Sequence, residues 1–300
     1  MCLPPFCYCI RKATGNERPG YGRRKSPKFV DRFSQKGYIR RKKRRVHMKR
    51  FLVPAVLAVL LVGSIALAST LEEIKARGKI YIGTDATYPP MEFHNESGEI
   101  VGFDIDLGRA IAEELGVEAV FIDTAWDGIF PALDAGKFDI IISSTSITEE
   151  RLKSKEMSDP YYVTSQAIAV RRDNETIRGP EDLKGKIVAV QIGTTGDLAV
   201  SEMEGVTVKR FDTIDKAYME VLNGRADAVV NDLSEVAYRM KMLPDMKIVA
   251  TFREGEEKYG VTMRKGDVEL LAAINEALRR IKASGKYDEI YRKWFGELGK

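Results

Sequence analysis

From Lys79 onward, short apolar runs of strand character alternate with stretches of helical period, and this alternation limits the fold more than any other feature of the chain. Strands joined through helices run parallel, because a crossover helix returns the chain to the same end of the sheet. "KIYIGTD" reads as a strand, and "MEF" and "IVGF" flank the turn "NESGE". "DIDLGRAIAEELG" places Leu107, Ala110, Ile111 and Leu115 on one helical stripe that Gly116 ends. "VEAVFID" is a strand, "WDGIFPALDAG" a short helix and "FDIIISS" a buried strand. A second series follows: "QAIAVRR", "EDLKG", "KIVAVQIG", "TTGDLAVSEME", "VTVKRFD", "IDKAYMEVLNG", "ADAVVND", "LSEVAYRMKM" and "MKIVAT". The chain closes with "YGVTMRK" and two helices. Two such series predict two similar α/β lobes with mostly parallel sheets. The join after "DPYY" is strand-like, which points to a short, ordered hinge.

Charge matters here through its distribution. The formal net charge is +4, which would suit a nucleic-acid binder if it were spread evenly. Residues 1–68 hold 17 Lys/Arg and 2 Asp/Glu, which leaves 31 basic against 42 acidic residues in the remainder and a net charge there of −11. No nucleic-acid partner is expected. "MKRFLVPAVLAVLLVGSIALAS" opens at Met48 with two cations, continues apolar and ends in Ala66-Leu67-Ala68, the small-x-small pattern of a signal-peptidase site. We read 48–68 as a secretory signal peptide rather than a permanent span, since the run from Phe51 to Ala68 is at the lower length limit for crossing a bilayer. The basic leader 1–47 has no apolar periodicity and is expected to lie upstream of the true start at Met48.

Cys2, Cys7 and Cys9 all precede the apolar run. No disulfide, thiolate nucleophile or lipid anchor through a signal Cys is then expected, and no cofactor or metal. His94, beside "HNESGE", is the one histidine after the signal, reads as a surface residue and cannot by itself build a zinc site or support a catalytic triad.

In open α/β sheets ligands collect at the carboxyl ends of the strands. Here those ends are polar: Thr84 and Asp85, then Ser143 and Ser144, then "GTTG" at 193–196, then Asn231 and Asp232. "SSTSITEER" adds Ser146, a capped turn and Arg151. Ser146 or Thr148 is the candidate N-cap, and Glu149 and Glu150 suit a first turn. Arg151 does not suit that position unless an anion compensates it. Asp85 and Asp232 against Arg151 match a zwitterion. Taken alone, Asp232 reads first as the N-cap of "LSEVAYRM" and Arg151 as a solvated charge, while Trp126 reads equally as a core aromatic.

The ordered set "ATYPPMEF", "GFDIDLGRAIAEEL", "WDGIFPAL", "ISSTSITEER", "SDPYY", "VQIGTTGD", "GRADAVVND" and "YDEIYRKWFG" resembles the family-3 solute-binding proteins, the polar amino-acid receptors of ABC importers. The similarity runs through the whole chain after the signal. It implies a periplasmic-binding fold joined by a two-strand hinge, with lobe 1 over 71–165 and 260–300 and lobe 2 over 166–259. It implies an extracytoplasmic, monomeric protein that binds a free amino acid and passes it to the importer's membrane subunits. By that resemblance Arg151 grips the ligand carboxylate as a two-pronged donor, with Ser144, Ser146 and Thr195 around the same ligand. Asp232 takes the ammonium, while Asp85, Tyr88 and Trp126 line the side-chain pocket. Gln191 stands at a position that varies in the family.

A carboxylate and two aromatic faces in that pocket favour a cationic side chain, since an aliphatic ligand would leave Asp85 buried without a partner. Arginine is the expected ligand, with lysine or histidine weaker and glutamine next. Two other readings fit the same fold: a dehydratase acting on cyclohexadienyl acids, and a ligand-sensing module. Binding accounts for Arg151 and Asp232 without an acid or base aimed at a reacting carbon, so no enzyme is expected.

Overall fold

In the computed structural model of the chain, residues 70–296 are described, without the side chains of 253–256. Residues 1–69, on which the expected leader 1–47 and expected signal peptide 48–68 fall, and residues 297–300 lie outside the described residues. Among the described residues no helix is long and apolar enough to cross a membrane.

Two five-stranded sheets carry the fold. The first contains β1 (Lys79–Thr84), β5 (Glu118–Asp123), β6 (Ile140–Ile141), β7 (Lys155–Met157) and β13 (Thr262–Arg264), in the order β5-β1-β6-β13-β7. β5, β1 and β6 run parallel, and β13 opposes both β6 and β7. The second contains β8 (Tyr162–Arg171), β9 (Ile187–Gln191), β10 (Thr207–Phe211), β11 (Ala228–Asp232) and β12 (Met246–Tyr259), in the order β10-β9-β11-β8-β12. β10, β9 and β11 run parallel, and β8 opposes both β11 and β12. In both sheets, therefore, the fourth strand is the one reversed. Four of the five strands in each sheet point the same way, as the alternation of strands and helices predicts, while the reversed strand makes both sheets mixed. The two exceptions share a cause: β8 and β13 are the strands by which the chain enters one lobe from the other.

That crossing is a paired one. Tyr162 of β8 lies opposite Tyr259 of β12, and the pairing continues to Arg171 opposite Met246. Tyr161 N–H donates to the Tyr259 carbonyl at 2.9 Å, and Ser158 N–H to the Val261 carbonyl at 2.9 Å. A small antiparallel sheet of β2 (Thr87–Tyr88), β3 (Glu92–His94) and β4 (Ile100–Val101) follows β1.

The helices are α1 (Thr70–Arg77), α2 (Phe103–Leu115), α3 (Trp126–Asp134), α4 (Glu149–Ser154), α5 (Thr195–Ser201), α6 (Ile214–Leu222), α7 (Leu233–Met240), α8 (Val268–Ala283) and α9 (Lys286–Phe295). α2 buries Leu107, Ala110 and Ile111 of the expected stripe, and Leu115 is half-buried against the same core. Gly116 ends it at φ 73°, its N–H donating back to the Ala112 and Glu113 carbonyls. "EDLKG" forms only a 3₁₀ turn, Pro180–Leu183, where a proline suits the first position but too few residues follow to propagate a helix. α9 packs aromatic side chains on the crossing strands: Tyr291 and Phe295 lie 6.2 and 5.3 Å from Tyr162, and Tyr287 O–H donates to the Tyr161 carbonyl at 2.6 Å.

Candidate functional site

The polar ends of β1, β6, β9 and β11 converge on one cavity. Asp85, Tyr88, Trp126, Ser144, Ser146 and Arg151 line it from the first lobe, and Gln191, Thr195 and Asp232 from the second. All nine residues singled out in the sequence thus stand around one space. Ser143 and Thr194, which the sequence marks only as polar strand ends, also line it, as does Glu92, which was missed. His94 lies outside this lining and is exposed, its ring bonded to the Gly98 carbonyl and to Asp123.

Local structure places Arg151. Thr148 is the N-cap of α4, its hydroxyl accepting the Arg151 N–H at 3.2 Å. The guanidinium then turns back: Nη1 donates to the Ser146 carbonyl at 2.7 Å, and its carbon lies 5.3 Å from the ring centres of both Trp126 and Phe130. Trp126, 8% exposed, is at once a cavity wall and a packing surface for this cation. Burial pulls the arginine pKa down to about 10, opposed by the charges of Glu257 and Asp232, so it is a cation at neutral pH.

The acidic side is denser. Asp232 stands at the N-cap position of α7, yet its side chain makes no capping bond. It accepts instead from Gln166 Nε2 at 2.5 Å, Tyr259 O–H at 2.6 Å and Tyr88 O–H at 3.1 Å. Burial first, and the charge of Glu257 second, push its pKa up to about 7, against the pull of those three donors. Glu257, 5% exposed, accepts from the Thr195 hydroxyl at 3.0 Å. Asp85 accepts from the Thr87 hydroxyl at 2.9 Å and from Gln191 Nε2 at 3.2 Å, and burial raises its pKa. The charges of Asp232 and Glu257 thus act on the guanidinium, and Asp85 lines the same cavity.

Gln166, Tyr259 and Glu257 were not anticipated. They lie on β8 and β12, whose residues meet the site only through pairing between distant segments, Tyr162 with Tyr259 and Gln166 with Phe252. Bonds also run across the cleft: Gln191 to Asp85, Tyr88 O–H to Asn231 Oδ1 at 2.8 Å and Arg239 Nη2 to the Thr87 carbonyl at 3.4 Å. Among the described residues no group of three or more His, Cys, Asp or Glu side chains is placed to hold a metal ion. A buried cation with free donor capacity facing buried carboxylates can seat both ends of a zwitterion.

Residues 80–297 match the family model of the bacterial extracellular solute-binding proteins, family 3. The L-cystine-binding protein TcyJ of Escherichia coli (strain K12) is 33% identical over 257 residues, spanning 83% of this chain and 97% of that protein. An ancestral arginine-binding protein bound to arginine is 48% identical, with a TM-score of 0.71, over 73% of this chain and 99% of its own. An ancestral arginine-binding protein bound to glutamine is likewise 48% identical at a TM-score of 0.71, covering 74% of this chain and 99% of that one. With a match spanning most of its length and relatives aligned over nearly the whole of theirs, the chain belongs to the bacterial extracellular solute-binding proteins of family 3.

Proposed function

We propose that the protein is an exported receptor that closes on one free L-amino acid, arginine in preference to glutamine, and delivers it to an ABC importer. Arg151 holds the α-carboxylate, with the Ser146 and Thr195 hydroxyls beside it, and Asp232 holds the α-ammonium. Asp85 receives the far end of the side chain, between Tyr88 and Trp126. The lobes that close are 71–165 with 260–300, and 166–259, and the working unit is a monomer.

The observation that carries the choice of arginine is the charge imbalance. Asp85, Asp232 and Glu257 outnumber Arg151, and burial raises the pKa of both Asp85 and Asp232. A ligand with a net positive charge offsets more of this than a neutral one, at short range and away from water. Glutamine is the second reading, on a specific ground: Asp85 already accepts from an amide, that of Gln191. The relative solved with arginine and the one solved with glutamine support both ligands as candidates.

Asp85→Asn separates them. Arginine should lose on the order of 2 kcal/mol or more by calorimetry, the cost of leaving a buried charge without its partner. Glutamine should bind the variant nearly as well, through an amide–amide bond. Equal loss of both ligands would remove Asp85 from the side-chain pocket. We read the protein as a binder rather than an enzyme, since the charges of the site are taken by the ends of one zwitterion. Turnover of prephenate or arogenate by the purified protein would reverse that reading.

A further inference from the structure

Glu92 on β3 and Asp104 in the first turn of α2 are 1% and 0% exposed, and both bond to Ser144, Asp104 through its N–H at 2.7 Å and Glu92 through its O–H at 3.1 Å. Two carboxyls buried this close, with no Lys or Arg among the hydrogen-bond or ion-pair partners of either in the described residues, cannot both be ionised, so one of them keeps a proton. The surrounding donors identify its owner. Asp104 Oδ2 accepts the Ser144 N–H at 2.7 Å and the Tyr161 O–H at 2.8 Å, and it sits at a helix N-terminus, all of which favour the anion. Its buried Oδ1 meets no donor among the described residues, which leaves that atom to accept a proton from Glu92. Glu92 accepts only hydroxyls, from Ser143 at 3.0 Å and Ser144 at 3.1 Å. The charges that act most on it, Asp104 and Asp85, are both negative.

The same pair holds the turn that faces the ligand. Ser144 has φ 44°, a left-handed conformation that a residue with a Cβ seldom takes, and it stands just past β6 where the strand ladder ends. Its N–H goes to Asp104 and its O–H to Glu92. Ser143, whose hydroxyl accepts the Asp85 N–H at 2.9 Å, ties Glu92 to the end of β1.

We propose that Glu92 is a positioning residue held as the neutral acid, donating its proton to ionised Asp104, and that the pair locks the left-handed Ser144 turn in its ligand-facing shape. Burial and the neighbouring anion push the Glu92 pKa well above the usual range, while Asp104 rises only to about 6. The inference rests on the amino-acid reading for its affinity arm and stands apart from it in its infrared arm.

For the first arm, Glu92→Ala should weaken arginine binding on the order of 10-fold or more. Glu92→Gln, whose amide N–H replaces the carboxyl proton, should recover most of that loss. Asp104→Asn should recover none of the loss seen in Asp104→Ala, because the site needs the anion there. For the second arm, infrared spectra of the wild type at mildly alkaline pH with arginine present should show a protonated-carboxyl carbonyl band that Glu92→Gln lacks. This arm also decides the matter if the Asp104 variants do not fold or if arginine does not bind. Absence of the band in the wild type, or equal losses in Glu92→Gln and Glu92→Ala, would overturn the proposal.

Discussion

At Asp232 the carboxyl is surrounded by three donors and still titrates at about 7, far above its ordinary 3.8, because burial and Glu257 outweigh them. Between those two values the folded, unliganded protein keeps a proton that the unfolded chain has released. This group's contribution to stability is therefore present in acid and lost as pH rises toward about 7. An ammonium ligand selects the ionised carboxyl, so affinity should increase as pH rises through neutrality, with a proton released on binding. Calorimetry in buffers of different ionisation enthalpy will show that release in the wild type and none in Asp232→Asn. At Arg151, truncation to Ala should cost on the order of 2–5 kcal/mol of binding, and Lys should recover little, lacking a second parallel donor. Near-normal affinity in Arg151→Ala would remove it from the carboxylate receptor. These residues were legible because each follows a strand end in a polar cluster. Glu92 was not, because "MEF" reads only as a short strand and nothing local marks its glutamate as turned inward.

α4 shows how an element of six residues can set a site. Its cap is Thr148, and the residue whose N–H it accepts is Arg151 itself. Thr148→Ala should therefore cost about 1 kcal/mol in denaturant unfolding and loosen arginine binding as well. Gly102 plays the corresponding part for α2. It has φ 142°, and a Cβ there would lie 2.0 Å from the Met91 carbonyl oxygen, which is backbone and cannot step aside. Gly102→Ala should destabilise the fold by several kcal/mol, read as a lower urea midpoint at unchanged slope. The helical stripe of α2 and its glycine stop were legible, since period and cap lie within one segment. The shortness of β6 was not. "FDIIISS" is apolar enough for a full strand, but the ladder covers only Ile140–Ile141 before the chain bends toward the left-handed Ser144.

At the scale of the molecule, two sheets of the same strand order and polarity meet at a paired crossing, and the charges of the site come from both. The repeated alternation of strands and helices made the two lobes legible. The reversed fourth strand in each was not, because it follows from Tyr162 meeting Tyr259 nearly a hundred residues away. Arg151 and Asp232 lie on opposite sides of the cleft, so only a closed form satisfies both ends of one amino acid. Small-angle scattering should then show a smaller radius of gyration with arginine than without it. Cross-cleft bonds such as Tyr88 O–H to Asn231 should add to closure, and Tyr88→Phe should weaken binding by about 1 kcal/mol. The central claim, a site built for an amino-acid zwitterion with a cationic side chain, is tested most directly by calorimetric titration of the purified protein with L-arginine and L-glutamine. The account predicts saturable one-to-one binding with arginine the tighter ligand, and saturation by neither would contradict it.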